Sequence, residues 1–138
     1  MGGAPTIEET KRTVRDFFEA VTAGEFDRAA ELVVPTGGWT TPRRRATVSL
    51  ADQVRLLSTE GMTFTIEQLT AEEDRVSALA SGYTTAGDGT RVSKTFHFLI
   101  RLEAERIADV VMYDDGSLAD RLKDHAAEDG GGRETHNG

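Results

Sequence analysis

The hydrophobic period of this chain changes once, at Gly61, and that change limits the folds open to it. Before Gly61 apolar residues recur at helical spacing, and after it they alternate with polar ones, as half-buried strands require. Four alternating runs follow: Met62 to Thr70, Arg75 to Ala86, Arg91 to Glu103 and Arg106 to Asp114. The links between them are Ala71 to Asp74, a turn at Gly87-Asp88-Gly89, and Ala104-Glu105. Connections this short join antiparallel neighbours, because a parallel crossover needs about a dozen residues or more. Helices first and a meander afterwards predict an α+β fold with helices on one face of an antiparallel sheet.

The helical half is marked by its caps. Thr6-x-x-Glu9 is a capping box, in which the threonine hydroxyl takes an orphan backbone N–H. Ile7, Val14, Phe17, Phe18 and Val21 then share one helical face, and Gly24 stops the helix. Glu25 to Leu32 reads as a short second helix ended by Pro35. Pro35 to Pro42 holds two prolines and two glycines, so it is expected to be irregular or a short edge strand. A third helix starts at Ser49-Leu50-Ala51-Asp52, a relative of the capping box, and ends near Gly61. The same four letters return at Ser117-Leu118-Ala119-Asp120, which reads as a second cap and not as a duplicated unit.

A length of 138 residues suits one domain. Net charge of −8 argues against a polyanionic partner, so no nucleic acid is expected. Cysteine is absent, which removes disulfides, thiolate zinc sites and a cysteine nucleophile. Residues 1–6 read as a flexible start, with neither the charged nor the apolar region of a signal peptide, and no run is apolar enough to span a membrane. A cytoplasmic location is expected. The match of Gly2 and Thr6 to a myristoylation pattern is a chance one. Residues 119–138 form an acidic helix or tail, mobile from about residue 128, where no apolar side chain offsets the ordering entropy. His97, His125 and His136 show no metal-ligand spacing, so no metal is expected.

Several residues in this order resemble the NTF2-like superfamily, in its SnoaL-like and ketosteroid-isomerase-like branch. They are Phe17-Phe18-x-Ala20-Val21-x-x-Gly24-Glu25-Phe26-Asp27 in the front half, then His97 to Leu102, Arg106-Ile107 and Tyr113-Asp114-Asp115. The usual glycine before the basic residue is Glu105 here. The resemblance covers residues 7–118 and implies a cone: three N-terminal helices packed on a strongly curved antiparallel sheet. It also implies a homodimer through the outer sheet face, and a hydrophobic pocket of the kind polyketide cyclases of secondary metabolism use.

Position by position, the resemblance withholds the familiar chemistry. Phe17 stands where ketosteroid isomerases carry a tyrosine, Phe98 where they carry a protonated aspartate, and Thr41-Pro42 where they carry the base. Ser81, Tyr83 and Met112 stand where limonene-type epoxide hydrolases need an arginine and two aspartates. Matched to the family, Phe96, Phe98, Ile100 and Leu102 face inward on the third strand, and Ala108, Val110, Met112 and Asp114 on the last. Leu79, Ser81, Tyr83 and Thr85 are expected inward on the strand before the hairpin.

The expected site follows from that parity. Asp114 is the candidate base and Tyr83 the candidate hydrogen-bond donor to a developing oxyanion. Phe17, Trp39, Thr41, Ser81, Lys94 and Met112 join Phe96, Phe98, Ile100 and Val110 as the lining. Trp39 is expected at the cavity mouth, either stacking on a planar ligand or capping the helix pair. Lys94 either meets a ligand oxygen or turns out to solvent. Thr95, His97, Leu99 and Arg101 form the dimer face, and Arg43-Arg44-Arg45 reads as a solvated loop. Three functions fit these residues. One is a cofactor-independent acid–base enzyme (cyclase, isomerase or dehydratase) on an apolar oxygenated metabolite. The others are a binding module without turnover and a dimerisation module.

Overall fold

The computed structural model describes residues 5–85 and 87–114. The expectations for residues 1–4 and for everything after Asp114, including the acidic tail and the second Ser-Leu-Ala-Asp cap, lie outside the described residues. The elements are helices α1 (Ile7–Thr22), α2 (Phe26–Glu31) and α3 (Leu50–Glu60), with a 3-10 turn at Pro42–Arg44. The strands are β1 (Val33–Thr41), β2 (Ala46–Ser49), β3 (Thr63–Glu72), β4 (Arg75–Thr85), β5 (Arg91–Glu103) and β6 (Arg106–Asp114). They form one six-stranded sheet in the order β2-β1-β6-β5-β4-β3.

Local chemistry sets the helix ends. The Glu9 amide donates to Thr6 Oγ1 at 3.1 Å, and the Thr6 amide donates to the Glu9 carboxylate at 2.8 Å, closing the capping box. Ser49 caps α3 by accepting the Asp52 amide at 3.2 Å, and Gly61 ends that helix in the left-handed region. α1 is tied to the sheet at its far end, where the Phe64 amide donates to Thr22 Oγ1 at 2.9 Å.

Three expectations are corrected. The three helices do not all precede the sheet, because β1 and β2 lie between α2 and α3. Pro35 to Pro42, expected to be irregular or a short edge strand, supplies most of β1, which lies inside the sheet between β2 and β6. Pro35 is accommodated there because the register with β6 jumps from Val33–Ile107 to Gly38–Asp109, leaving residues 34–37 bulged and the proline without a ladder partner. The sheet is also not wholly antiparallel: β1 runs parallel to β6. The connection between them holds α3 and four strands, long enough for a parallel return.

The core lies between the helices and one face of the sheet. Phe98, fully buried, meets Phe18 of α1 at 4.8 Å, Trp39 of β1 at 5.7 Å and Phe64 of β3 at 5.9 Å between ring centroids. Phe96 stacks beside it at 5.6 Å. These rings bury large apolar areas and gain edge-to-face contacts as well. Among the described residues, no helix is long and apolar enough to cross a membrane.

Candidate functional site

On β5 the alternation is clean: Phe96, Phe98, Ile100 and Leu102 are buried on the inner face, and Thr95, His97 and Leu99 are exposed on the outer one. β6 sets Val110 across from Ile100, Met112 across from Phe98 and Asp114 across from Phe96. Antiparallel partners share a face, so these three point inward with the aromatic row. Trp39 pairs with Val110 from the other side, and Thr41, two residues on, is half-buried on the same face. Phe17 is fully buried on α1, edge-on to Phe18.

β4 turns the opposite way from the expectation. Val76, Ala78, Ala80 and Gly82 are its buried row, set against Ile100, Phe98, Phe96 and Lys94. Leu79, Ser81 and Tyr83 therefore lie on the outer face, paired with His97, Thr95 and Ser93, and Thr85 at the strand end is exposed. Volume is the physical reason. Ala78 and Ala80 leave room for Phe98 and Phe96, and a Cβ at Gly82 would sit 2.6 Å from the Thr63 carbonyl oxygen and 3.1 Å from the Phe96 ring. A row of leucine and tyrosine on that face would overfill the space the phenylalanines occupy. Tyr83 instead carries the Arg91 guanidinium over its ring at 4.1 Å. As a donor inside the cone Tyr83 is ruled out by this facing, and Ser81 is ruled out as lining.

At one end the apolar inner face turns polar. Lys94 Nζ lies 3.5 Å from Asp114 Oδ2, with the two side chains 14% and 7% exposed. Arg43, from the 3-10 turn after β1, brings its Nε to 3.8 Å from Asp114 Oδ1. Lys94 thus runs inward, and part of the arginine run expected to be a solvated loop reaches the candidate carboxylate. Arg43 had no signal in the sequence beyond its charge. The 3-10 turn places it, and that turn exists because Pro42 starts it and Arg45 closes it with left-handed backbone.

Trp39 is not at a mouth. It is 1% exposed within the aromatic layer, and its indole Nε1 is buried without a hydrogen-bond partner. On the outer face His97 Nε2 and Ser77 Oγ share a hydrogen bond of 2.7 Å. Arg101 donates from Nε to Asp109 at 3.0 Å and from a terminal nitrogen to Glu103 at 2.8 Å. These bonds, that to Asp109 foremost, hold the guanidinium above its ordinary range. Among the described residues, no three of histidine, aspartate and glutamate come together in a way that could hold a metal ion.

Against known proteins, the family model of the SnoaL-like domain matches residues 14–110. No curated protein matches the chain. Among solved structures, one similar chain is a protein from Jannaschia sp. CCS1 assigned as a SnoaL-like polyketide cyclase. It has 14% identity and a TM-score of 0.72 over 88% of this chain and 96% of that one. An NTF2-like protein from Burkholderia pseudomallei K96243 has 20% identity and a TM-score of 0.71, covering 83% of this chain and 96% of its own. AclR from Streptomyces galilaeus, assigned as a hydroxylase, has 19% identity and a TM-score of 0.71 over 86% and 83%. At these identities the structures show a shared fold, and the family match covers most of the chain: the protein belongs to the SnoaL-like family, on the NTF2-like α+β fold.

Proposed function

We propose that this protein is a small-molecule enzyme that works by acid–base chemistry without a cofactor, with Asp114 as the base. The observation that carries the reading is a carboxylate only 7% exposed at the end of an otherwise apolar inner face. A base so placed meets an apolar ligand away from bulk water. It removes a proton from carbon beside a carbonyl, the electron pair moves to the carbonyl oxygen, and the proton returns elsewhere on the ligand. Cyclisation, isomerisation and dehydration share that first step. The SnoaL-like family and the polyketide cyclase assignment of one structural neighbour support the class.

The test is Asp114→Asn with product analysis on a panel of polyketide-like and steroid-like carbonyl compounds, at a temperature well below the variant's transition. Turnover of a true substrate falls by about a hundredfold or more. Undiminished turnover rejects Asp114 as the base.

A second reading, a non-catalytic ligand-binding or dimerisation module of the same fold, is favoured by the closed packing of Phe17, Phe18 and Phe98. Dimerisation is part of both readings. Leu79, Leu99 and Tyr113 are 36%, 43% and 46% exposed on the outer face, around His97, and a second copy seated there would cover them.

A further inference from the structure

We infer that the outer sheet face joins a second copy of this chain only while His97 is uncharged, so that mild acid separates the two. This rests on the dimer reading above and adds its control by pH. His97 stands in the middle of that face, with Leu79 of β4 across from it on one side and Tyr113 of β6 on the other. In a chain that is 29% charged, the charged side chains of β4, β5 and β6 on this face stand only at its ends. Arg75, Arg101, Glu103, Arg106 and Asp109 gather at one end and Arg91 at the other. Thr40 of β1 and Thr47 of β2 extend the charge-free region beyond Val111. From Ser93 to Leu99, and over these five strands, it measures about 24 Å by about 24 Å at roughly 3.4 Å per residue and 4.8 Å per strand. That is about 600 Å² in plan. With the charged ends as a polar rim it reaches the roughly 800 Å² that each partner gives to a stable interface.

Such a face accommodates a neutral imidazole. The Ser77 hydroxyl can donate to His97 Nε2 or accept from it, so their 2.7 Å bond serves either charge state. What the face lacks is an anion for the charged ring. Glu103 and Asp109 are held by Arg101, and Glu72 of β3 lies across from Arg75. Glu67, in the β3 bulge, is two strands away, about 10 Å. The Tyr113 ring, at 6.4 Å, is too distant for a strong cation–π contact. A proton on His97 would thus be buried without compensation. The two-fold axis doubles the cost, because the centre of a self-complementary patch meets its own copy. Histidine changes charge between about pH 8 and pH 5. Protons bind the separated copies better, so the dimer is strongest above that range and is lost as pH falls through it. General electrostatics run the other way: a net charge of −8 repels a second copy, and acid reduces that repulsion.

The test is sedimentation of the full chain over a concentration series at about pH 8 and about pH 5.5. The wild-type dimer dissociation constant should rise at least tenfold in acid, and about a hundredfold if neither copy keeps its proton in the dimer. His97→Gln, neutral at both pH values and still able to bond Ser77, should dimerise equally at both. His97→Asn serves if the glutamine variant does not fold. His97→Lys, charged at both, should weaken the dimer at both. His125 and His136 remain in every variant, so an acid effect acting through them persists in His97→Gln. That persistence, or a wild-type constant unchanged by acid, overturns the inference and leaves the dimer standing. A His97→Gln variant that is monomeric at about pH 8 marks His97 as packing and also overturns it. A wild type that is monomeric at both pH values, its outer face bare or covered by the chain's own end, overturns the inference and the dimer together.

Discussion

Gly37 of β1 passes against the carbonyl oxygen of Ala108 on β6 so closely that any Cβ at Gly37 would collide with it and with the Leu50 side chain at 2.9 Å. The bulge that lets β1 run beside β6 is where this contact occurs, so the parallel half of the sheet depends on a missing side chain. Gly37→Ala should cost about 1–3 kcal/mol, the usual range for overpacking a filled site. Chemical denaturation would show it as a lower midpoint at unchanged slope. An unchanged midpoint would mean that β1 does not approach β6 as described.

The β5–β6 hairpin turns through Ala104 and Glu105, with φ of 49° and 65°. Two successive left-handed residues make the turn that suits the strand twist, and glycine adopts it without the Cβ penalty. Glu105→Gly should therefore raise stability by about 1 kcal/mol, the strain relief exceeding the added freedom of the unfolded chain. A thermal melt that shifts downward would count against this turn.

Asp114 and Lys94 should depend on each other energetically. Asp114→Asn leaves Lys94, whose side chain is 14% exposed, short of its partner, at a cost of about 1–3 kcal/mol. The double variant with Lys94→Met should cost less than the two single variants added together. Additivity within about 0.5 kcal/mol would show that the 3.5 Å pair carries no coupling.

On the outer face, Leu99 faces Ser77 and Val111 across the ladder and is 43% exposed. If a second copy covers it, Leu99→Glu places a charge in a desolvated contact and separates the dimer. Sedimentation should give a dimer for the wild type at micromolar concentration and a monomer for the variant. A wild-type monomer would reject the dimer.

Much of the architecture is written locally. The Thr6–Glu9 box, the Gly24 and Gly61 stops and the alternation from Thr63 to Asp114 rest on neighbours within a turn or a hairpin. Their physics is therefore visible in a short window of sequence. The inward row of β5 and β6 was legible for the same reason, since Phe96, Phe98 and Ile100 alternate with Thr95, His97 and Leu99 without ambiguity.

β4 was not legible in that way. Both of its rows are mildly apolar, Leu79 and Tyr83 on one and Val76, Ala78 and Ala80 on the other. Counting hydrophobicity favours the larger side chains, whereas the inner space had already been taken by rings from α1, β3 and β5. The row that fits is the row of small residues, and that follows only from the volumes of partners distant in the chain. The same holds at the polar end. Asp114 and Lys94 were singled out one by one, but nothing in a short window says that they meet, and Arg43 looks like one of three loop arginines. The sequence by itself determined the three helices, their caps, the four strands after Gly61 and the aromatic row. The tertiary structure alone decided which face of β4 turns inward, that β1 lies parallel to β6, and that Arg43, Lys94 and Asp114 meet, because each depends on packing between segments far apart in the chain.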